Sequence, residues 1–205
     1  MDKFAYDEFT VKRSRFIGYA KPVSSQEEAV AFINEIKAKH WDAKHNVYAY
    51  IVRDGGIKRY SDDGEPQGTA GTPVLDVLEK SGVTDCVTVV TRYFGGVLLG
   101  GGGLVRAYSH SASIALAAAG IVRMKKCGRL KIKCDYGFYG RLSGLIPEYG
   151  GKDLQADFTD EVTVCFTIAD ENIAKFAAAL TDAGNGRYDF EVISESFEKF
   201  FEKSE

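Results

Sequence analysis

The spacing of hydrophobic and polar positions changes several times along the chain, and each change marks an element. Phe9 and Val11, then Phe16, Ile17 and Tyr19, read as two strands around Lys12-Arg13-Ser14-Arg15. Ser24-Ser25-Gln26-Glu27-Glu28 has the form of a capping box, a serine standing three before a glutamate twice over. Ala29, Phe32, Ile33 and Ile36 then fall on one helical face. Residues 47–52 form an apolar strand closed by the turn Asp54-Gly55-Gly56. Thr72-Pro73 predicts a helix start, with Thr72 as N-cap and Pro73 in the first helical position, and Ser81-Gly82 ends that helix. A strand over 86–94 leads through glycines into a small-residue helix over 104–119, which Gly120 stops; residues 121–124 read as one more strand.

Near residues 125–128 the pattern restarts, and the predicted domains are 1–127 and 128–205. Residues 130–134 alternate as a strand. Phe138, Leu142, Leu145 and Ile146 fit a helix stopped by Pro147. Two strands over 151–158 and 161–169 are joined at Thr159-Asp160. Ile173, Phe176, Ala177 and Leu180 make an amphipathic helix, and residues 187–198 a last strand. The second domain is thus βαββαβ, the ferredoxin-like order. Such a sheet commonly leaves one face open, a platform rather than an active site.

Composition adds bounds. The 205 residues are 45% hydrophobic and 27% charged, as in an ordinary soluble α+β protein. No apolar run approaches a membrane span and no signal-peptide core follows Met1, so the expectation is a cytoplasmic protein with no membrane partner. A net charge of −3 supplies no global field for nucleic acid and leaves room only for a local basic patch. Cys86, Cys127, Cys134 and Cys165 form no C-x-x-C pair and sit among strand residues, which suits core thiols in a reducing compartment.

Three segments could carry chemistry. Between Arg92 and Arg106 lie six glycines in nine positions, Gly95, Gly96, Gly100, Gly101, Gly102 and Gly103, joining a strand to a helix start. Free N–H groups and the positive end of a helix dipole suit an anion there; a close-packed loop without a ligand is the alternative. Residues 62–73 place Asp62, Asp63 and Glu65, then Thr69 and Thr72, ahead of a second helix start. They fit a metal-supported phosphate site or an ordinary turn before a capped helix. His45-Asn46 opens a strand, where the imidazole is a general base, a phosphate donor or a structural group. His40 ends a helix, where a cation suits the dipole. His110 lies one turn beyond Arg106. The phosphate-loop motif fails because Gly101 follows Gly100 where lysine is required. The dinucleotide fingerprint fails at Val105.

Taken together, residues 45–50, residues 62–73 and the run from Arg92 to Tyr108 resemble the IMPACT/YigZ family over roughly residues 1–125. The second domain is similar in layout to the C-terminal domain of bacterial members. The resemblance implies an N-terminal β-α fold shared with domain IV of elongation factor G and with GHMP small-molecule kinases. It implies a ferredoxin-like second domain similar to domain V of that factor. Eukaryotic relatives regulate translation initiation and carry a further N-terminal partner-binding domain. The expectation is a non-enzymatic RNA- or ribosome-associated protein, a regulator of translation. Arg92, Arg106 and the six glycines would hold phosphate. His45, Asn46, Asp62, Asp63, Glu65, Thr69 and Thr72 would support them, with Lys12, Arg13 and Arg15 as outer contacts. No residue is assigned to catalysis or to a metal, and no particular cofactor is indicated. An enzyme or sensor for a small phosphorylated ligand, and a protein-interaction module, are the alternatives.

Overall fold

The computed structural model describes residues 1–200. They fall into two compact units that divide after Ile121, the second beginning at Val122.

In the first unit the strands are β1 (Ala5–Val11), β2 (Ser14–Pro22), β3 (His45–Val52), β4 (Ile57–Ser61) and β5 (Cys86–Tyr93). They form one antiparallel sheet in the order β1-β2-β5-β3-β4. Alternation along each strand feeds two cores. Phe16, Ala20, Val47, Ala49, Cys86 and Val90 face helices α2 (Gly71–Lys80) and α3 (Gly101–Ala119). Ile17, Tyr19, Tyr50, Val52, Val87 and Val89 face helix α1 (Gln26–Lys39), which presents the predicted stripe Ala29, Phe32, Ile33 and Ile36. With helices on both faces, the central strand β5 is buried from Cys86 to Arg92. That explains its continuous apolar run. The α3 face against the sheet is built from Ala107, Tyr108, Ala112, Ala115 and Ala119, small residues that let helix and sheet approach closely.

Strand β4 has no counterpart among the predicted elements. It is an edge strand whose Lys58, Arg59 and Tyr60 are exposed, so no alternation marks it. Ser25 caps α1 as the sequence implies, its hydroxyl accepting from the Glu28 N–H at 3.3 Å.

The second unit contains β6 (Arg123–Cys134), α4 (Tyr136–Glu148), β7 (Lys152–Phe158), β8 (Val162–Ala169), α5 (Asp170–Gly184) and β9 (Phe190–Phe200). The expected βαββαβ order is the order observed, in an antiparallel sheet β7-β8-β6-β9. Leu130, Ile132, Val164 and Phe166 pack with Leu142, Ile146, Phe176 and Leu180 of the two helices. Arg129, Lys131 and Lys133 alternate onto the other face, where Arg129 meets Gln155 and Lys133 meets Glu161. The two short strands expected around residues 121–134 are one strand of 12 residues, and the chain divides before it, after Ile121, rather than at 127/128. Pro147 lies inside α4, one residue before its end. The four cysteines are free thiols, three buried and Cys165 half-buried. Burial pushes the Cys86 thiol up to about 12, which keeps it unreactive.

Candidate functional site

The antiparallel order brings four chain segments to one end of the first sheet. Strand β5 leaves at Tyr93, and His45 at the start of β3 is registered opposite Arg92. Strand β4 leaves at Ser61 into residues 62–70. The β1–β2 hairpin turns at Lys12-Arg13, beside Tyr93 across the Arg15 register. The three segments singled out in the sequence therefore meet.

The acidic loop turns its charge inward. Asp62 accepts hydrogen bonds from the N–H groups of Gly68 (2.9 Å), Ala70 (3.1 Å) and Gly71 (2.7 Å). It thereby caps α2 from across the loop. The helix begins at Gly71, so Thr72 is not its N-cap, and Ala70 in that position offers no side-chain acceptor. Asp63 accepts from the Asn46 N–H at 2.7 Å and from Lys37 at 2.8 Å, while its carbonyl meets His45 Nδ1 at 2.8 Å. Thr69 donates its hydroxyl to the Pro66 carbonyl. The Asn46 amide oxygen accepts from Thr91.

Glu65 is buried, and one oxygen gathers three groups: Arg92 Nη1 at 2.5 Å, the Tyr108 hydroxyl at 2.8 Å and His45 Nε2 at 3.8 Å. Burial and the neighbouring carboxylate push the Tyr108 hydroxyl far up, so it stays a donor. Arg92 is itself buried, its guanidinium lying over the rings of Phe16 and Phe94, and its Nε has no acceptor among the described residues. Arg92, expected at the phosphate, is committed to Glu65 beneath the loop. Both arginines border the glycines in the sequence, but only the fold brings Glu65 against one of them.

The glycines divide into two kinds. A Cβ on Gly95 would stand 2.0 Å from the Arg13 carbonyl carbon, so this glycine lets the loop pack on the hairpin tip, with its N–H on Ser14 Oγ at 3.2 Å. Gly100 caps α3 at φ 73°, a conformation that favours glycine. The helix starts at Gly101, three residues earlier than expected, so Gly101, Gly102 and Gly103 form its first turn. No side chain caps that turn, and its N–H groups have no intrahelical partner. Gly101 and Gly102 have ordinary helical dihedrals and room for a methyl, the nearest atoms to a Cβ being 3.9 Å away. Those atoms are the Thr69 methyl and Arg106 Nη1 respectively. Arg106 is exposed. Around it the loop exposes Phe94, Val97 and Leu98, and Gly96 adds an open positive-φ turn. Lys12, Arg13, Lys44 and Arg106 have no carboxylate partner among the described residues, whereas Arg15 is paired with Glu8. His110 packs edge-on against Phe9.

A second polar cluster escaped the sequence reading. His40, assigned there to the α1 dipole, is buried and held at both nitrogens, by Tyr19 Oη at 2.6 Å and Tyr93 Oη at 2.9 Å. Burial lowers its pKa, with Lys39 adding to the effect. The Tyr93 hydroxyl donates to Asp42 at 2.9 Å. One arrangement satisfies every atom: Tyr19 donates to Nε2, Nδ1–H donates to Tyr93, and Tyr93 donates to Asp42. Nothing in the local sequence marks this network, because its members lie 21 and 53 residues from His40.

Residues 12–116 match the Impact N-terminal domain and residues 132–187 a domain of unknown function, DUF1949. The chain is 37% identical to IMPACT family member YvyE of Bacillus subtilis (strain 168), over 89% of this chain and 84% of that protein. It is 35% identical to IMPACT family member YigZ of Escherichia coli (strain K12), over 90% and 92% respectively. A solved structure titled "Crystal structure of an hypothetical protein" superposes with a TM-score of 0.57 at 32% identity, covering 94% of this chain and 95% of that one. With the first-unit signature and the length of both domains matched in this way, the chain belongs to the IMPACT family.

Proposed function

We propose that this protein is a non-enzymatic, cytoplasmic RNA- or ribosome-associated factor with a regulatory role in translation, and that the first turn of α3 takes a phosphate of its RNA. One observation carries the reading. Gly101 and Gly102 need neither positive φ nor space for a neighbour, yet glycine in a helix forfeits about 0.5–1 kcal/mol relative to alanine. Close approach of an external group to the exposed N–H groups accounts for that composition. The three carboxylates of residues 62–65, which would repel a polyanion, are all occupied by internal donors. The exposed cations at this end without a carboxylate partner among the described residues are then Lys12, Arg13, Lys44 and Arg106, beside one exposed carboxylate, Asp42, that accepts from Tyr93. On this reading the first unit is the counterpart of domain IV of elongation factor G, and the second, by its strand order, of a ferredoxin-like domain V.

Titration of labelled structured RNA against the full chain over a range of salt tests it. Binding should weaken with salt, and Arg106→Ala should lower affinity and reduce the salt slope by about 1, as loss of one phosphate contact requires. Binding that is absent, or indifferent to salt and to Arg106, overturns the reading. The uncapped first turn with one arginine also has the size for a single small phosphorylated ligand. Such a ligand at 100 times its Kd would raise stability by about 2.7 kcal/mol in a thermal-shift screen.

A further inference from the structure

We infer that Trp41 is a stacking platform for an unpaired base, so that the RNA bound at this end of the first unit is single-stranded there. This rests on the RNA reading above and specifies its substrate. Trp41 is the one tryptophan of the chain and is 83% exposed, with no ring or hydrogen-bond partner among the described residues. Its surroundings, by contrast, are fixed. It occupies the turn from α1 to β3, which is closed by the Ala43 N–H on the His40 carbonyl at 3.0 Å. On one side His40 is held by Tyr19 and Tyr93, and its carbonyl also accepts from the Asn46 amide. On the other side Asp42 accepts from Tyr93. Three side chains, Tyr19 of β2, Asn46 of β3 and Tyr93 of β5, thus pin the two neighbours of a residue whose own ring is left open to solvent. A large ring in open solvent on a rigid mount loses little freedom when it is covered, which is what an aromatic contact surface requires.

Charge selects the occupant. Lys39 and Lys44 flank the ring in sequence, and neither has a carboxylate partner among the described residues; the Lys39 ammonium lies over the Tyr6 and Tyr19 rings. The Lys44 ammonium sits 5.7 Å from the Phe94 ring centre, tying this turn to the start of the glycine loop. The one carboxylate of the turn, Asp42, is bonded to Tyr93. An exposed aromatic ring with a cation on either side of it in the sequence fits a polyanion that presents the flat faces of its bases. A duplex hides those faces, whereas a single strand or loop exposes them.

Because Trp41 is the sole tryptophan, intrinsic emission reports on it directly. The experiment titrates the full chain with an unstructured oligouridine and with a blunt RNA duplex of equal length, following emission and, separately, affinity. The single strand should quench Trp41. Trp41→Ala should weaken single-strand binding about tenfold, the scale of one stacked base. It should leave duplex affinity and salt slope unchanged, and Trp41→Phe should restore most of the loss. Single-strand binding that depends on Arg106 but leaves the emission and the Trp41→Ala affinity untouched overturns the inference and spares the RNA reading. No binding of either RNA overturns both. Concentration-dependent self-association that Trp41→Ala abolishes, with RNA binding unaffected, assigns the ring to a second copy of the chain and also overturns the inference.

Discussion

Arg92 and Arg106 stand at the two ends of one loop, and their surroundings give them opposite roles. Arg92 is an interior cation whose charge is met by Glu65. Deleting one member of a buried pair leaves the other uncompensated, so Arg92→Ala or Glu65→Ala should cost about 3–5 kcal/mol. Tyr108 would lose its acceptor as well in the glutamate variant. Arg106→Ala removes an exposed side chain and should change stability by less than about 0.5 kcal/mol. Urea midpoints of the three variants check this, and a stable Arg92→Ala protein would refute the buried-pair account. From sequence the two arginines look equivalent, since each borders glycines. What separates them is a contact across 27 residues of chain, which no local pattern encodes. His45-Asn46 and the run from Asp62 to Glu65 were each legible as polar segments, but neither their meeting nor the direction of their charge was, because turning a carboxylate inward depends on which N–H groups the fold delivers to it.

Among the elements, α2 and α3 start by different devices. The start of α2 depends on Asp62, eight and nine residues away from the N–H groups it accepts. Thr72-Pro73 imitates the local rule, but the acceptor that satisfies the first turn comes from the preceding loop. Asp62→Ala should therefore cost about 1–2 kcal/mol, at the upper end for a capping residue because three N–H groups lose their acceptor. Asp62→Asn should recover part of it, as chemical denaturation would show. The first turn of α3 has no such acceptor. Replacing Gly101 and Gly102 together by alanine should stabilise the protein by about 1–2 kcal/mol while lowering RNA affinity, since the methyls would stand over the exposed N–H groups. A stabilised variant with unchanged affinity would remove phosphate from this turn. The three glycines looked like loop in the sequence because their helix propensity is poor; Leu104 and the apolar face behind it hold the turn in place. Helix α1 carries the pH-sensitive contact. Burial keeps His40 neutral and holds its pKa below the usual 6.5, so the unfolded chain binds that proton more tightly. Stability should be full above about pH 6.5 and decline as pH falls below it, and His40→Gln should flatten that decline in melts recorded across the range.

For the whole molecule, the informative place is the junction. Each unit has its own apolar core, one around β5 and the other around β6 and β8, so each has what a folding domain requires. The hydrophobic pattern showed the restart but set it at 127/128, because Lys125 and Lys126 interrupt the apolar alternation at the head of β6. In the sheet those lysines are registered opposite Glu198 and Phe197, and Lys126 pairs with Glu195 at 2.8 Å. They are strand residues whose side chains meet acidic partners. A fragment of residues 122–205 should melt cooperatively. One beginning at Gly128 loses the β6 residues that pair with positions 196–200 of β9. Because β9 is an edge strand with β6 as its one neighbour, nothing else in the sheet could replace those hydrogen bonds. The shorter fragment should melt at a lower temperature with that half of β9 unprotected from amide exchange, while a fragment of residues 1–121 should keep the melting behaviour of the first unit. Equal stability of the two C-terminal fragments would instead put the boundary where the lysines first suggested it.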